Sequence, residues 1–275
     1  MMADIHPTAI VEAGAELGAG VRIGPFCHVH AGAVLHDGVE LKGHVVVYGG
    51  TTIGKGTVVW PNAVLGGDPQ SFGHKGGPTT LEIGENCIIR EGVTMSRGSD
   101  GSRGVTRVGD GGFFMAYTHI AHDCIVGNRV IMANQATLAG HCEVGDHANI
   151  GGLTAVHQFV RIGHHAFVGG CSGLAGDVIP FGMAVGNRAT LRGFNIIGMK
   201  RSGMSRKEIH ELRRAYRQIF EGEGSMEENV AEAVAMFGDN ALVADIAAFI
   251  GSRSRRYFCL PKRGGSEDDD GSDDS

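Results

Sequence analysis

Apolar and polar positions along this chain follow neither the 3.6-residue period of a helix nor the two-residue period of a strand. From Val108 to Leu174 an aliphatic or aromatic residue falls on every sixth position: Val108, Phe114, Ile120, Val126, Met132, Leu138, Val144, Ile150, Val156, Ile162, Val168 and Leu174. Four residues after most of them comes a small or β-branched residue, such as Thr118, Cys124, Val130, Ala136 or Cys142. Upstream the same spacing runs from Ile5 to Leu65 through eleven hexads without error. A fixed six-residue period predicts a parallel β-helix built from hexapeptides. Each hexad then makes one short strand with its apolar residue inward, and three hexads close one coil. Residues 18 apart stack about 4.8 Å from one another along the axis.

The period breaks twice. Gly66 to Thr80 and Ser96 to Arg107 are rich in Gly and polar residues and predict loops leaving the coil at 66–80 and 96–107. Insertions in a solenoid tend to gather on one face, often the binding face, so these loops are better functional candidates than the walls. The regular coils end near Pro180 to Gly186, and a connector follows. Ser205 with Glu208, and Ser225 with Glu228, have capping-box spacing and predict helix starts. A third start falls at Asn240 or Ala241. The expected layout is a coil domain over 1–195, a small helical domain over 196–258, and a disordered acidic tail over 264–275. No separate N-terminal domain is expected, because the repeat begins at Ile5.

Composition adjusts this picture in four places. The net charge of −6 is misleading, since Glu267, Asp268, Asp269, Asp270, Asp273 and Asp274 supply six negative charges in the last nine residues. Such a tail cannot bury apolar surface. Of six cysteines, Cys27, Cys87, Cys124 and Cys142 fall four residues after a hexad apolar position and read as small wall residues, and no C-x-x-C pair occurs. No run approaches the roughly 18 apolar residues of a membrane helix and no signal sequence opens the chain, so a cytoplasmic protein is expected. From Lys200 to Arg217, Lys200, Arg201, Arg206, Lys207, Arg213, Arg214 and Arg217 face only Glu208 and Glu211. That basic stretch invites an acidic partner. No recognised nucleic-acid motif accompanies it, so nucleic acid is poorly supported beside a small acidic protein or a phosphate.

The candidate chemistry lies in the central coils. His122, Gly140 and Gln158 are one coil apart and form a ladder, with His141 beside Gly140, His157 beside Gln158, and His119 half a hexad before His122. His122 is the best candidate general base, since imidazole titrates near physiological pH. Asp123 can orient it only if the two meet at a corner, because adjacent strand residues point to opposite sides. Gly140 offers an unobstructed backbone N–H as an oxyanion donor. A zinc site between coils, as in β-helical carbonic anhydrases, is the alternative use of these histidines. A purely structural or binding solenoid is the third. No Ser or Cys has a convincing base beside it, so the chemistry available is direct base-assisted attack.

The segments 120–130 (IAHDCIVGNRV), 136–148 (ATLAGHCEVGDHA), 151–159 (GGLTAVHQF), 168–178 (VGGCSGLAGDV) and 198–206 (GMKRSGMSR) resemble the UDP-N-acetylglucosamine O-acyltransferases, which act first in lipid A biosynthesis. The resemblance covers nearly the whole chain up to the tail. It implies a left-handed parallel β-helix with a C-terminal helical domain, assembled as a homotrimer with sites between subunits. It implies transfer of an (R)-3-hydroxyacyl chain from acyl carrier protein to the glucosamine 3-position of UDP-GlcNAc, with no cofactor and no metal. By motif, His122 is the base, Asp123 assists it and the Gly140 N–H holds the oxyanion. His119, His141, His157 and Gln158 line the substrates, Gln70 and Ser71 belong to the sugar loop, and Asn195 and Arg201 lie at the nucleotide end. Phe167 and Gly170 match positions that set acyl length.

The resemblance also exposes departures. The family loop commonly reads PQDxK, whereas this chain has Pro69-Gln70-Ser71-Phe72-Gly73, without the carboxylate and the Lys. Arg188 replaces a common His, and Ile197 and Ser202 stand where Glu and Arg can occur. With Ser71 in place of Asp, a 3-amino analogue of the sugar is an alternative acceptor, giving an amide in place of an ester.

Overall fold

A hexad such as His119 to Cys124 is too short to bury its large apolar residue, Ile120, alone, and it does so by stacking. The computed structural model describes residues 2–252 and 254–262, so the acidic tail at 264–275 lies outside the described residues. Nearly every hexad folds as a two-residue strand followed by a two-residue corner. The strands line up as three ladders, parallel except for the last pair of the first. The first face runs from Asp4–Ile5 to Thr190–Phe194, the second from Ile10–Val11 to Gly173–Leu174, and the third from Glu16–Leu17 to Arg161–Ile162. Register is the predicted 18 residues, as in His119 opposite Thr137 and Thr137 opposite Ala155.

The apolar hexad positions fill the interior. Phe114, Ile120, Met132, Leu138, Ile150 and Val168 are fully buried, with Cys124, Ala136, Cys142 and Ala148 closing the wall four residues after their hexad residue. Cys27, Cys87, Cys124 and Cys142 are buried free thiols, and burial pushes the Cys124 thiol well up. They pack; they do not react. Deleting the side chain of Ile120 would leave a cavity costing about 2–5 kcal/mol.

The two loops leave the coil where the period breaks. Thr51 pairs with Leu81, thirty residues on, and Thr94 with His119, twenty-five on, in place of eighteen. The loops lie against each other: the Asp100 carboxylate accepts from the Lys75 N–H at 2.6 Å and the Gly77 N–H at 3.3 Å, and Arg97 pairs with Asp68.

The predicted connector after Gly186 is a correction. Thr190–Phe194 folds back as a strand antiparallel to Gly182–Val185, ending the first face. Helix α1 (Ile196–Arg201) follows at once, with Asn195 as its N-cap. Both capping boxes form, opening α2 (Arg206–Glu221) and α3 (Met226–Phe237). Asn240 caps α4 (Ala241–Gly251). Each such cap is worth about 1 kcal/mol. Ile209, Leu212, Ala215 and Ile219 form the buried stripe of α2, leaving Arg206, Lys207, Arg213, Arg214 and Arg217 exposed. Beyond α4 the chain returns along the coil, with the Asp177 N–H donating to the Tyr257 carbonyl and the Cys259 N–H to that of Asp177.

Candidate active site

The corner between the second and third faces carries two ladders. Its first positions are His122, Gly140 and Gln158, and its second are Asp123, His141 and Phe159. The second residues sit in the left-handed region, at φ 60° for Asp123, 64° for His141 and 65° for Phe159. This turn bends Asp123 back beside its neighbour, so the corner meeting required by the sequence is made. His122 Nδ1 lies 2.7 Å from Asp123 Oδ2. With the carboxylate accepting, Nδ1 carries the proton and Nε2 presents its lone pair.

Asp123 is fully buried because the second loop covers it. The Ser99 N–H reaches both carboxylate oxygens at 3.2 Å and the Ser99 hydroxyl donates to Oδ2. Asp123's own N–H donates to Thr106 Oγ1 at 2.8 Å, and Arg103 donates to its carbonyl at 3.0 Å. Burial would push the Asp123 carboxyl up, but the Ser99 hydroxyl, then His122, hold it below the usual carboxylate range. The acid behind the imidazole therefore stays ionised. Burial, reinforced by His122, pushes His119 down, and Thr94 Oγ1 lies 2.7 Å from its Nδ1. Burial also pushes His141 down.

Gly140 is packed against the His122 ring. A Cβ there would lie 2.7 Å from His122 Cε1 and 2.8 Å from Nε2. Among the described residues nothing accepts the Gly140 N–H, a condition shared with the first residues of other corners such as Asn134 and Gly152. What sets Gly140 apart is the imidazole beside it.

The fold brings His119, His122, Asp123, Gly140 and His141 together. His141 stacks on Phe159 at 4.4 Å. His157 and Gln158 stand one coil further, where Arg256 donates to His157 Nδ1 and to the Gln158 carbonyl. Gln70 and Ser71 lie on the first loop, braced through Asp68 and Asp100. Asn195 is occupied as a cap: its Oδ1 accepts from the Gly198 N–H at 2.9 Å and its Nδ2 donates to the His165 carbonyl at 3.0 Å. Arg201 is exposed in the last turn of α1. Phe167, on the first face, and Gly170, at its corner with the second face, lie across the second face from His122.

Several residues of this corner were not singled out in the sequence. Ser99, Ser102 and Arg103 come from the second loop, and Arg255 and Arg256 from the returning segment. A cleft of 610 Å³ beside His141 is lined by Gly101, Ser102, Arg103, Glu143, Phe159, Arg161, Ser254 and Arg255. Arg103 and Arg161 pair with Glu143 and Asp177. Arg255 lies over the Phe159 ring at 4.7 Å with no carboxylate partner among the described residues. The cleft is thus electropositive. The loop composition marked the second excursion, but nothing in the linear pattern tied Ser99 to Asp123, 24 residues on.

Replacing Ser99 with Ala is expected to raise the pH at which Asp123 protonates. A carboxyl depressed in the folded state adds stability above its unfolded pKa, and that stability is lost as pH falls through the folded value. Without the Ser99 hydroxyl this loss begins at higher pH, and neutral stability falls by roughly 1.5–3 kcal/mol. Melting curves of both proteins across the acid range check it.

A three-sided coil of hexads with a carboxylate-backed imidazole at one corner defines a hexapeptide-repeat transferase, and the family model described as bacterial transferase hexapeptide (six repeats) matches residues 32–67. A second, UDP N-acetylglucosamine O-acyltransferase domain 2, matches residues 177–259. The chain is 54% identical over 258 residues to the acyl-[acyl-carrier-protein]–UDP-N-acetylglucosamine O-acyltransferase of Bartonella henselae, covering 94% of each chain. It is 53% identical over 262 residues to that of Rhizobium johnstonii, covering 95% of this chain and 96% of the relative. A solved UDP-N-acetylglucosamine acyltransferase superimposes with a TM-score of 0.90 at 40% identity, covering 94% of this chain and 99% of the other. The chain belongs to the UDP-N-acetylglucosamine O-acyltransferase family. It is an acyltransferase, and its coil is a left-handed parallel β-helix.

Proposed function

We propose that this chain transfers an (R)-3-hydroxyacyl group from acyl carrier protein to the 3-hydroxyl of the glucosamine ring of UDP-GlcNAc, the first step of lipid A biosynthesis. The observation that carries the mechanism is the chain Ser99–Asp123–His122, with the His122 ring against Gly140. His122 Nε2 takes the proton of the sugar hydroxyl as its oxygen attacks the thioester carbonyl. The C–O bond forms, and the oxyanion is met by the Gly140 N–H. Collapse breaks the C–S bond, and the imidazolium returns its proton to the departing sulfur. Asp123 holds the imidazole in the useful tautomer and balances its charge.

The loop residues Gln70 and Ser71 are assigned to the sugar, His119, His141, His157 and Gln158 to the substrate walls, and the Arg255 cleft to a phosphate-bearing part of a substrate. Asn195 acts by setting α1, whose Arg201 faces outward at the nucleotide end. Phe167 and Gly170 are assigned to the acyl chain. They lie across a face from His122 in one chain, which supports a homotrimer in which a neighbouring copy supplies them. The acyl carrier protein donor is a soluble partner, which fits a cytoplasmic reaction. Among the described residues no helix is long and apolar enough to cross a membrane.

The amide-forming alternative is not favoured, since the relatives at 54% and 53% identity are O-acyltransferases by name, and Ser71 reads as a tolerated change in the loop. The zinc hydratase and scaffold readings yield to the family assignment. Acyl transfer from a panel of 3-hydroxyacyl carrier proteins, with UDP-GlcNAc and its 3-amino analogue in competition, tests the proposal. Ester formation on UDP-GlcNAc is expected. Transfer to neither sugar would refute it.

The exposed basic face of α2 is assigned to the acidic carrier protein. Reversing Arg213 and Arg217 to Glu is expected to raise KM for the acyl carrier protein several-fold, leave KM for UDP-GlcNAc unchanged, and flatten the salt dependence. Initial rates at varied ionic strength check it.

A further inference from the structure

We propose that Glu12, His28 and His30 bind a divalent transition-metal ion, with Zn2+ the best match to the donors, and that the ion staples the first coil to the second. His28 Nε2 and His30 Nδ1 converge on one oxygen, Glu12 Oε1, at 2.8 and 3.1 Å. All three ligand atoms lie within 4.8 Å of one another. Zinc bonds of about 2.0–2.1 Å place tetrahedral ligand atoms about 3.3 Å apart, so the two Glu12–histidine spacings need little adjustment. Two imidazoles and a carboxylate suit zinc, and they leave a position for water.

The ligands are held by their surroundings. The Ala31 N–H donates to Glu12 Oε2 at 3.0 Å, fixing the carboxylate and leaving Oε1 to face the rings. The His28 and His30 rings stack at 3.9 Å, and His30 stacks on Tyr48 at 4.8 Å with only 7° between planes. Partners that orient ligands in this way matter to affinity nearly as much as the ligands themselves. All three side chains are half-buried, open enough for an ion to enter.

The place has a physical use. Among the described residues no coil lies beneath the first, and its inward residue Ile5 is 42% exposed, whereas the equivalent Ile23 is buried one coil on. Solenoid ends fray unless capped. Glu12 belongs to the first coil and the two histidines to the second, so one ion would bridge them. The cluster is separate from the acyl-transfer corner: His28 lies four rungs before His119 on the same face, through Val46, Val64 and Thr94.

The test is calorimetric titration of Zn2+ into the chelator-treated full-length protein, beside His28→Ala and the shape-preserving Glu12→Gln. The wild type is expected to bind one more zinc per chain than His28→Ala. Glu12→Gln is expected to weaken that site by about 10–100-fold or more. Zinc should slow amide exchange at residues 4–17 in the wild type and in neither variant, with acyl transfer unchanged in all three. Equal stoichiometry and affinity in wild type and variants would overturn the proposal and send any zinc to the His122, Asp123 and His141 set. Absence of zinc binding by the wild type would overturn it outright.

Discussion

His122→Ala is expected to lower kcat by about 10²–10⁴-fold, the range of a positioned general base, with a modest fall in melting temperature as the buried Asp123 carboxylate loses one of its hydrogen-bond partners. The His122 side chain sits at a corner, outside the packed interior, and contributes little to the core. KM for UDP-GlcNAc should change little, because the lost interaction matters only as the hydroxyl proton leaves. Asp123→Asn should cost nearly as much by a different route. An amide in that place can donate toward Nδ1 and so favours the tautomer whose Nε2 is already protonated. It also leaves the Ser99 donors facing a poorer acceptor. Combining the two substitutions should add almost nothing to the larger single effect, since the residues act as one unit. Steady-state rates of the single and double variants, with both substrates varied, check the whole set. Near-additive losses would mean that Asp123 does not act through His122.

The sequence exposed the parts of this molecule that repeat. Ile120, Leu138 and Val156 are legible because every coil imposes the same demand on the same position, and a solenoid multiplies that demand along the chain. The ladder of His122, Gly140 and Gln158 was legible for the same reason: a spacing of 18 is a spatial contact once the coil is known. Outside the repeat, the starts of α2, α3 and α4 and the two loops were legible from local signals, the capping residues and the Gly-rich runs, and the contacts that occur once were not. The Asn195-capped helix and the antiparallel Thr190–Phe194 occur once, where the coil must be ended. Ser99 reaches Asp123 because a loop of irregular sequence folds over the corner. Arg255 and Arg256 reach Phe159, His157 and Gln158 because the chain turns back after α4. None of these contacts has a period to betray it. The Asp123 geometry lies between the two cases. The requirement for a corner followed from strand alternation, but the left-handed φ of 60° that satisfies it is visible only in the fold.

Gly140→Ala separates the two roles assigned to that corner. The alanine keeps the backbone N–H, so the oxyanion donor survives in kind. Gly140 is not among the residues with positive φ, so alanine meets no backbone penalty there, and the unfolded chain loses about 0.4–1 kcal/mol of conformational freedom in favour of folding. Yet its Cβ falls 2.7 Å from His122 Cε1 and 2.8 Å from Nε2, closer than real contacts allow. The ring is the movable partner and must swing away, straining its 2.7 Å bond to Asp123. A misplacement of about 1 Å costs about 10²-fold in rate. We therefore expect kcat to fall by about that factor while the melting temperature holds. In the His122→Ala background the same change should cost little, because the ring that it displaces is gone. A large further loss in that double variant would instead place the effect on the Gly140 N–H, and the oxyanion contact, not the aim of the base, would be what the absence of a side chain at 140 protects.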